Sequence, residues 1–141
     1  MWETTTAATS KSSIGVPLLF RGPGIPAGAR FETACYLRDL FPTVCDLAGI
    51  AIPEMVEGKS LAPVLAGKTT TLYPHVFGHF RDVQRMVRTE RWKLIFYPKI
   101  NKYQLFDLSR DPPEQRNLAD DPRQAKVLAA LRRKLAEGPR R

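Results

Sequence analysis

The segment that most restricts what this chain can fold into is residues 16–20, Val-Pro-Leu-Leu-Phe, an unbroken apolar run. A run with no polar alternation belongs to a strand covered on both faces, as in the middle of a parallel sheet. Such a strand needs neighbouring strands and the crossover helices that join them, yet almost nothing precedes it here. The expectation is a strand and companion helix from a larger α/β domain, standing without the layers that would enclose them. Residues 1–13, rich in Thr, Ala and Ser, show neither helical nor strand periodicity and read as a flexible lead-in that lacks the apolar stretch of a signal peptide. The compartment stays open. No apolar run approaches the length of a membrane helix, so no membrane partner is expected.

The next stretch, residues 21–28 (Arg-Gly-Pro-Gly-Ile-Pro-Ala-Gly), is a turn-rich loop. It lacks the Lys of a phosphate-binding loop, and proline removes amide donors, so nucleotide binding is not expected. Asp39 suits the cap of a helix beginning at Leu40, with Pro42 in the first turn and Gly49 at the end. Leu40, Phe41, Val44, Leu47 and Ala48 share one face of it while Asp46 points away. Leu61, Val64 and Leu65 suggest a short helical piece ending at Gly67.

From Tyr73 the period shortens. Residues 75–80, 84–88, 92–97 and 103–108 read as strands whose connections are too short for anything but antiparallel pairing. Trp92, Phe96 and Tyr97 read as core. Asp121-Pro122 opens a terminal helix, and its stripe of Val127, Leu128, Leu131 and Leu135 packs on one face of the sheet. The fold class is α+β: a small antiparallel sheet of about four strands with a C-terminal helix, preceded by a strand and helix that belong to a truncated α/β domain.

The formal charge of +8 is scattered, densest at Arg132, Arg133, Lys134, Arg140 and Arg141, which fits a solvated helix face and not a nucleic-acid partner. Cys35 and Cys45 form no C-x-x-C and have no nearby histidine pair, so neither a zinc site nor a redox dithiol is indicated, and both read as small buried apolar residues.

Five segments, in chain order, resemble the sulfatases of the alkaline-phosphatase superfamily. They are residues 16–28 (Val-Pro-Leu-Leu-Phe-Arg-Gly-Pro-Gly-Ile-Pro-Ala-Gly), residues 39–49 (Asp-Leu-Phe-Pro-Thr-Val-Cys-Asp-Leu-Ala-Gly) and residues 58–67 (Gly-Lys-Ser-Leu-Ala-Pro-Val-Leu-Ala-Gly). Residues 85–95 (Arg-Met-Val-Arg-Thr-Glu-Arg-Trp-Lys-Leu-Ile) and residues 105–119 (Leu-Phe-Asp-Leu-Ser-Arg-Asp-Pro-Pro-Glu-Gln-Arg-Asn-Leu-Ala) complete the set. Each alone is little more than a cap, a turn and a few apolar residues; their joint order and spacing carry the resemblance. It implies a lead-in at 1–13, a remnant of the large α/β sulfatase domain at 14–70, a C-terminal sheet-and-helix subdomain at 71–137 and a tail at 138–141.

The resemblance implies hydrolysis of a sulfate ester at a formylglycine, made from the Cys or Ser of a Cys/Ser-x-Pro/Ala-x-Arg motif, beside calcium or another divalent cation. Cys35 is followed by Tyr-Leu-Arg and Cys45 by Asp-Leu-Ala, and no Ser fits the motif either. Asp39, Asp46, Asp107, Asp111, Asp120 and Asp121 all fall at expected caps and turns, where structural roles are ordinary. Catalytic residues, metal ligands and a cofactor are therefore not expected within this chain. Lys11 is the one candidate for the family's sulfate-contacting lysine, though it lies closer to the Val-Pro strand than the family places it. His79, with Arg81, Gln84 and Arg85, is a candidate for the rim of a substrate mouth, since guanidinium groups match planar oxyanions. His75 shares the spacing of His79, and surface ion pairing is the plainer account of Arg81, Arg85 and Arg88.

The expected function follows: the C-terminal portion of a sulfatase, inactive alone, meeting a sulfate ester only where the missing catalytic part is supplied. Two alternatives stand beside it, a basic module for sulfated glycans or other polyanions and a phosphonate or phosphodiester hydrolase of the same superfamily. Exposed apolar surface at residues 16–20 and on the 40–48 helix is expected to favour self-association.

Overall fold

A computed structural model describes residues 14–138. It divides into two compact units, one formed by Leu18–Val76 and the other by the described part of Phe77–Arg141 with residues 14–17.

Residues 16–20, which straddle the boundary between the two units in sequence, form no strand. Val16 and Leu19 are 72% and 93% exposed. The apolar run therefore does not adopt the doubly covered strand that its composition suggests, because no neighbouring strand among the described residues offers it hydrogen bonds. In the first unit a short 3-10 turn, Leu37–Asp39, leads into helix α1, Leu40–Leu47, which stops before Gly49 at φ 69°. Positive φ suits glycine and ends the helix as the sequence suggests. Pro42, Thr43 and Cys45 are buried, whereas Phe41, Val44 and Leu47 stand exposed. A second short helix, α2, spans Ala62–Leu65 and buries Val64 and Leu65.

The organising group of this unit is Asp39, fully buried. Its carboxylate does not cap α1 as expected. Instead it accepts from the Tyr36 amide at 2.6 Å, the Lys59 amide at 2.9 Å and the Tyr73 hydroxyl at 2.7 Å. Thr43 extends the network, donating from its hydroxyl to the Asp39 carbonyl at 2.5 Å and accepting from the Leu61 amide at 2.8 Å. Gly58 lets the returning chain close on this point, since a Cβ there would lie 2.3 Å from the Arg38 carbonyl oxygen.

The second unit holds four strands in the order β1 (Val76–Phe80), β2 (Gln84–Arg88), β3 (Trp92–Tyr97) and β4 (Lys102–Asp107). β2, β3 and β4 pair antiparallel, with Val87 opposite Leu94 and Leu94 opposite Leu105. That row forms one core with Leu131 of helix α3, Ala125–Glu137, and Val127, Leu128 and Leu135 pack around it. The expected helical stripe is thus the one that covers the sheet. On the opposite face Met86, Ile95 and Phe106 form a second buried cluster. Trp92 and Tyr97 pack against these cores, and the Phe96 ring stacks on Tyr103 with centroids 4.4 Å apart.

Lys93 belongs to the same face as Ile95 by strand alternation. Its side chain is 1% exposed, and its ammonium meets the Glu114 carboxylate, itself 8% exposed, at 2.7 Å. Burial pushes the Lys93 pKa down and Glu114 pulls it part of the way back. No helix among the described residues is long and apolar enough to cross a membrane.

Replacing Lys93 by Met should cost about 3–5 kcal/mol, because a buried carboxylate loses its counter-charge. Adding Glu114→Gln to that variant should recover most of the loss. Urea unfolding of the two variants measures the difference, and equal stability of both would show that the pair carries no such coupling.

Candidate functional site

β1 and β2 are joined at Arg81–Val83, where Arg81 takes φ 49° and the Val83 amide donates to the Phe80 carbonyl at 3.1 Å. This tight connection brings two sequence-predicted residues together. His79 and Arg85 both line a cavity of about 70 Å³, walled in part by Phe77, Leu135 and Gly138. Gly138 is needed there, since a Cβ would stand 2.7 Å from the Phe77 ring.

The Nε of Arg85 is buried without a hydrogen-bond partner. A buried donor left unmade costs about 1–3 kcal/mol, so an acceptor entering this cavity would find a group already stripped of water. His79 is exposed beside it. Arg81, Arg85 and Arg88 make no ion pair among the described residues, so surface pairing does not account for them. Arg81 stays on the turn, its guanidinium 5.7 Å above the Phe80 ring. Gln84 is buried, and by alternation it shares the face of Met86 and not that of Arg85. His75 lies one residue before β1, and Lys11 lies outside the described residues.

Phe77 and Gly138 escaped the sequence reading. Alternation with His79 was the available signal for Phe77; nothing local marked Gly138.

The arrangement offers donors to an oxyanion and no nucleophile. Both cysteines are free, Cys45 buried and Cys35 half-buried. Burial first, and the charge of Asp39 second, push the Cys35 thiol up, which disfavours the reactive thiolate. Among the described residues no three His, Cys, Asp or Glu gather as a group that could hold a metal ion. The residues present therefore do not fit the divalent cation that the family resemblance implies.

The aspartates instead serve the backbone and neighbouring cations. Asp46 accepts from the Ser60 hydroxyl at 2.7 Å, Asp111 from the Gln115 and Arg116 amides at 3.0 and 2.7 Å, and Asp121 from the Arg123 amide at 3.0 Å. Asp107 accepts from Arg91 Nη2 at 2.8 Å and from the Ser109 hydroxyl at 2.6 Å.

The Arg91 hydrogen bonds hold the Asp107 carboxyl down at about 2, below its ordinary value of 3.8. With the folded pKa depressed, the unfolded chain binds the extra proton first, so stability rises with pH across this interval. The contribution is complete above about 4 and disappears as pH falls through about 2. Asp107→Asn should flatten acid unfolding between those values and cost about 1.5–3 kcal/mol at neutral pH. An unchanged pH profile in thermal unfolding would contradict the assignment.

The family described as N-sulphoglucosamine sulphohydrolase, C-terminal, matches residues 8–140. A delta 4,5-hexuronate-2-O-sulfatase of Bacteroides thetaiotaomicron is 40% identical over 128 residues, covering 83% of this chain and 27% of that protein. The solved structure of a 2-O GAG sulfatase superposes with a TM-score of 0.61 at 42% identity, over 70% of this chain and 23% of that one. The phosphonate monoester hydrolase of Silicibacter pomeroyi gives a TM-score of 0.67 at 27% identity, over 83% of this chain and 27% of that one. This chain thus spans about a quarter of the length of the proteins it matches.

Proposed function

Because this chain belongs to the N-sulphoglucosamine sulphohydrolase C-terminal family, within the sulfatases of the alkaline-phosphatase superfamily, we propose that it is the C-terminal part of a sulfuric ester hydrolase and turns over no sulfate ester alone. The observation that carries this reading is the family match together with the lack of any Cys/Ser-x-Pro/Ala-x-Arg sequence among the 141 residues. The nucleophile and the divalent cation, calcium or another, come in this reading with the portion that supplies the rest of the large domain. What this chain contributes is a wall. His79 and Arg85, with Arg81 at the turn, face the sulfate-bearing substrate, and the Arg85 guanidinium donates to its anionic oxygens.

The 27% identity to a phosphonate monoester hydrolase supports a related reading in which the leaving group is carried by phosphorus. The nucleophile that separates the two chemistries belongs to the complementary portion. A non-catalytic reading, a basic module for sulfated glycans or other polyanions, draws on the charge of +8 and on Arg81 and Arg85, which make no ion pair among the described residues. In isolation the exposed Phe41, Val44 and Leu47 face would also drive self-association.

Incubation of the purified chain with 4-nitrophenyl sulfate and calcium should release no nitrophenol above the blank; enzymatic turnover would overthrow the inactive-part reading. On a heparin column, elution at low salt would remove the polyanion reading, since binding through several arginines persists to appreciable ionic strength. Sedimentation velocity should show a mass that grows with concentration, and a monomer throughout would dismiss the apolar face as a self-association surface.

A further inference from the structure

A larger cavity, about 250 Å³, lies within the second unit, away from the β1–β2 connection, between the loop after β4 and the start of α3. Its lining carries four guanidinium groups, from Arg91, Arg110, Arg116 and Arg123, and three carboxylates, from Asp107, Asp111 and Asp121. Charge counting alone leaves +1. The hydrogen bonds divide the groups more sharply.

Each carboxylate is already committed. Asp107 accepts from Arg91 Nε and Nη2 and from Ser109. Asp121 caps the 3-10 turn Pro122–Gln124 that leads into α3, through the Arg123 amide, and takes the Arg123 guanidinium at 2.9 Å. Both oxygens of Asp111 are occupied by backbone amides. Those amides are neutral, so the Asp111 charge offsets one of the other two arginines and the lining keeps its single positive excess.

Arg110 and Arg116 have no ion-pair or hydrogen-bond partner for their guanidinium groups among the described residues. Hydrogen bonds from Arg123 chiefly hold the Asp121 carboxyl below its ordinary range, and the Arg116 charge adds a smaller pull in the same direction. Leu118 supplies an apolar patch of the lining, and the Gln124 side chain a polar one. Dedicated small-molecule pockets run from about 300 to 1,000 Å³, so this volume suits something on the order of one sugar ring bearing an anionic group. Planar guanidinium forks match the oxygens of carboxylates and sulfates alike.

We propose that this cavity is a binding site for a single oxyanion group of a small acidic molecule, a sulfate ester or a uronate carboxylate, held by Arg110 and Arg116. The site is distinct from the substrate wall at His79 and Arg85 and does not rest on the hydrolase reading.

The test uses the full chain and the double variant Arg110→Ala/Arg116→Ala, with Lys102→Ala/Arg133→Ala as a charge-matched control. All four positions are exposed and none holds the core. Backbone amide NMR titrations with inorganic sulfate and with D-glucuronate, each against chloride at equal ionic strength, should give saturable shifts at Gln115, Leu118 and Gln124. Affinity should fall at least about tenfold in the arginine double variant and stay unchanged in the control. Tighter sulfate than glucuronate binding assigns the site to sulfate esters, and the reverse assigns it to uronates. Equal affinity of wild type and double variant, or shifts that track ionic strength without saturating, would overturn the proposal. Neither outcome bears on turnover of an aryl sulfate, so the two readings fail separately.

Discussion

Lys93 sits on the third of four strands with its ammonium out of water, and a charge in that position is tolerable only if an opposite charge is brought to it. Glu114 meets the demand from the loop after β4, at the cost of a left-handed backbone with φ 60°. A non-glycine residue takes that conformation when its surroundings require it. The loop is then fixed at further points. Asp111 gathers the Gln115 and Arg116 amides, and Asn117 Oδ1 accepts from the Leu105 amide at 2.9 Å. The Leu118 amide donates to the Leu105 carbonyl at 2.8 Å. The free side of β4 is covered by this return, which blunts an edge that would otherwise offer itself to another chain.

The first unit solves a similar problem with the sign reversed. Asp39 is the buried charge there, and it is held by two backbone amides and a tyrosine hydroxyl instead of a cation. The Tyr73 hydroxyl feels the arrangement: burial first, and its hydrogen bond to Asp39 next, push its pKa up to about 12. Tyr73 therefore remains a donor throughout the physiological range. One carboxylate ties the 3-10 turn to segments twenty and thirty-four residues further along the chain, which is why a turn so short can be fixed at all.

Much of the second unit was legible in the sequence because its signals are local. Alternation located Gln84–Arg88 and Trp92–Tyr97 with the bounds the structure gives. The stripe at Val127, Leu128, Leu131 and Leu135 marked the face α3 buries. Residues 16–20 misled because an apolar run reports what a segment would bury, not whether a partner is there to bury it. Asp39 misled for another reason: a carboxylate beside a helix start is expected to cap it, and only tertiary structure places the Lys59 amide and the Tyr73 hydroxyl within its reach. His79 and Arg85, singled out by residue type and spacing, come together at the lining of one cavity. Arg110 and Arg116, which share the lining of the larger cavity, flank the Asp-Pro-Pro-Glu stretch, whose turn chemistry gave no hint of that neighbourhood.

The surplus of positive charge acquires a structural meaning once these contacts are counted as competing demands. The chain carries 22 Lys and Arg against 14 Asp and Glu, and folding draws several of the acids inward: Asp39 onto amides, Glu114 onto a buried lysine, Asp107 and Asp121 onto Arg91 and Arg123. An acid used this way is lost to the remaining arginines. Among the described residues Arg81, Arg85, Arg110 and Arg116 make no ion pair. Guanidinium groups stay protonated at any physiological pH, so water or an anion from outside can meet them. The capacity to meet an acidic ligand follows from where the fold has placed its carboxylates, and it requires no residue whose sole purpose is binding.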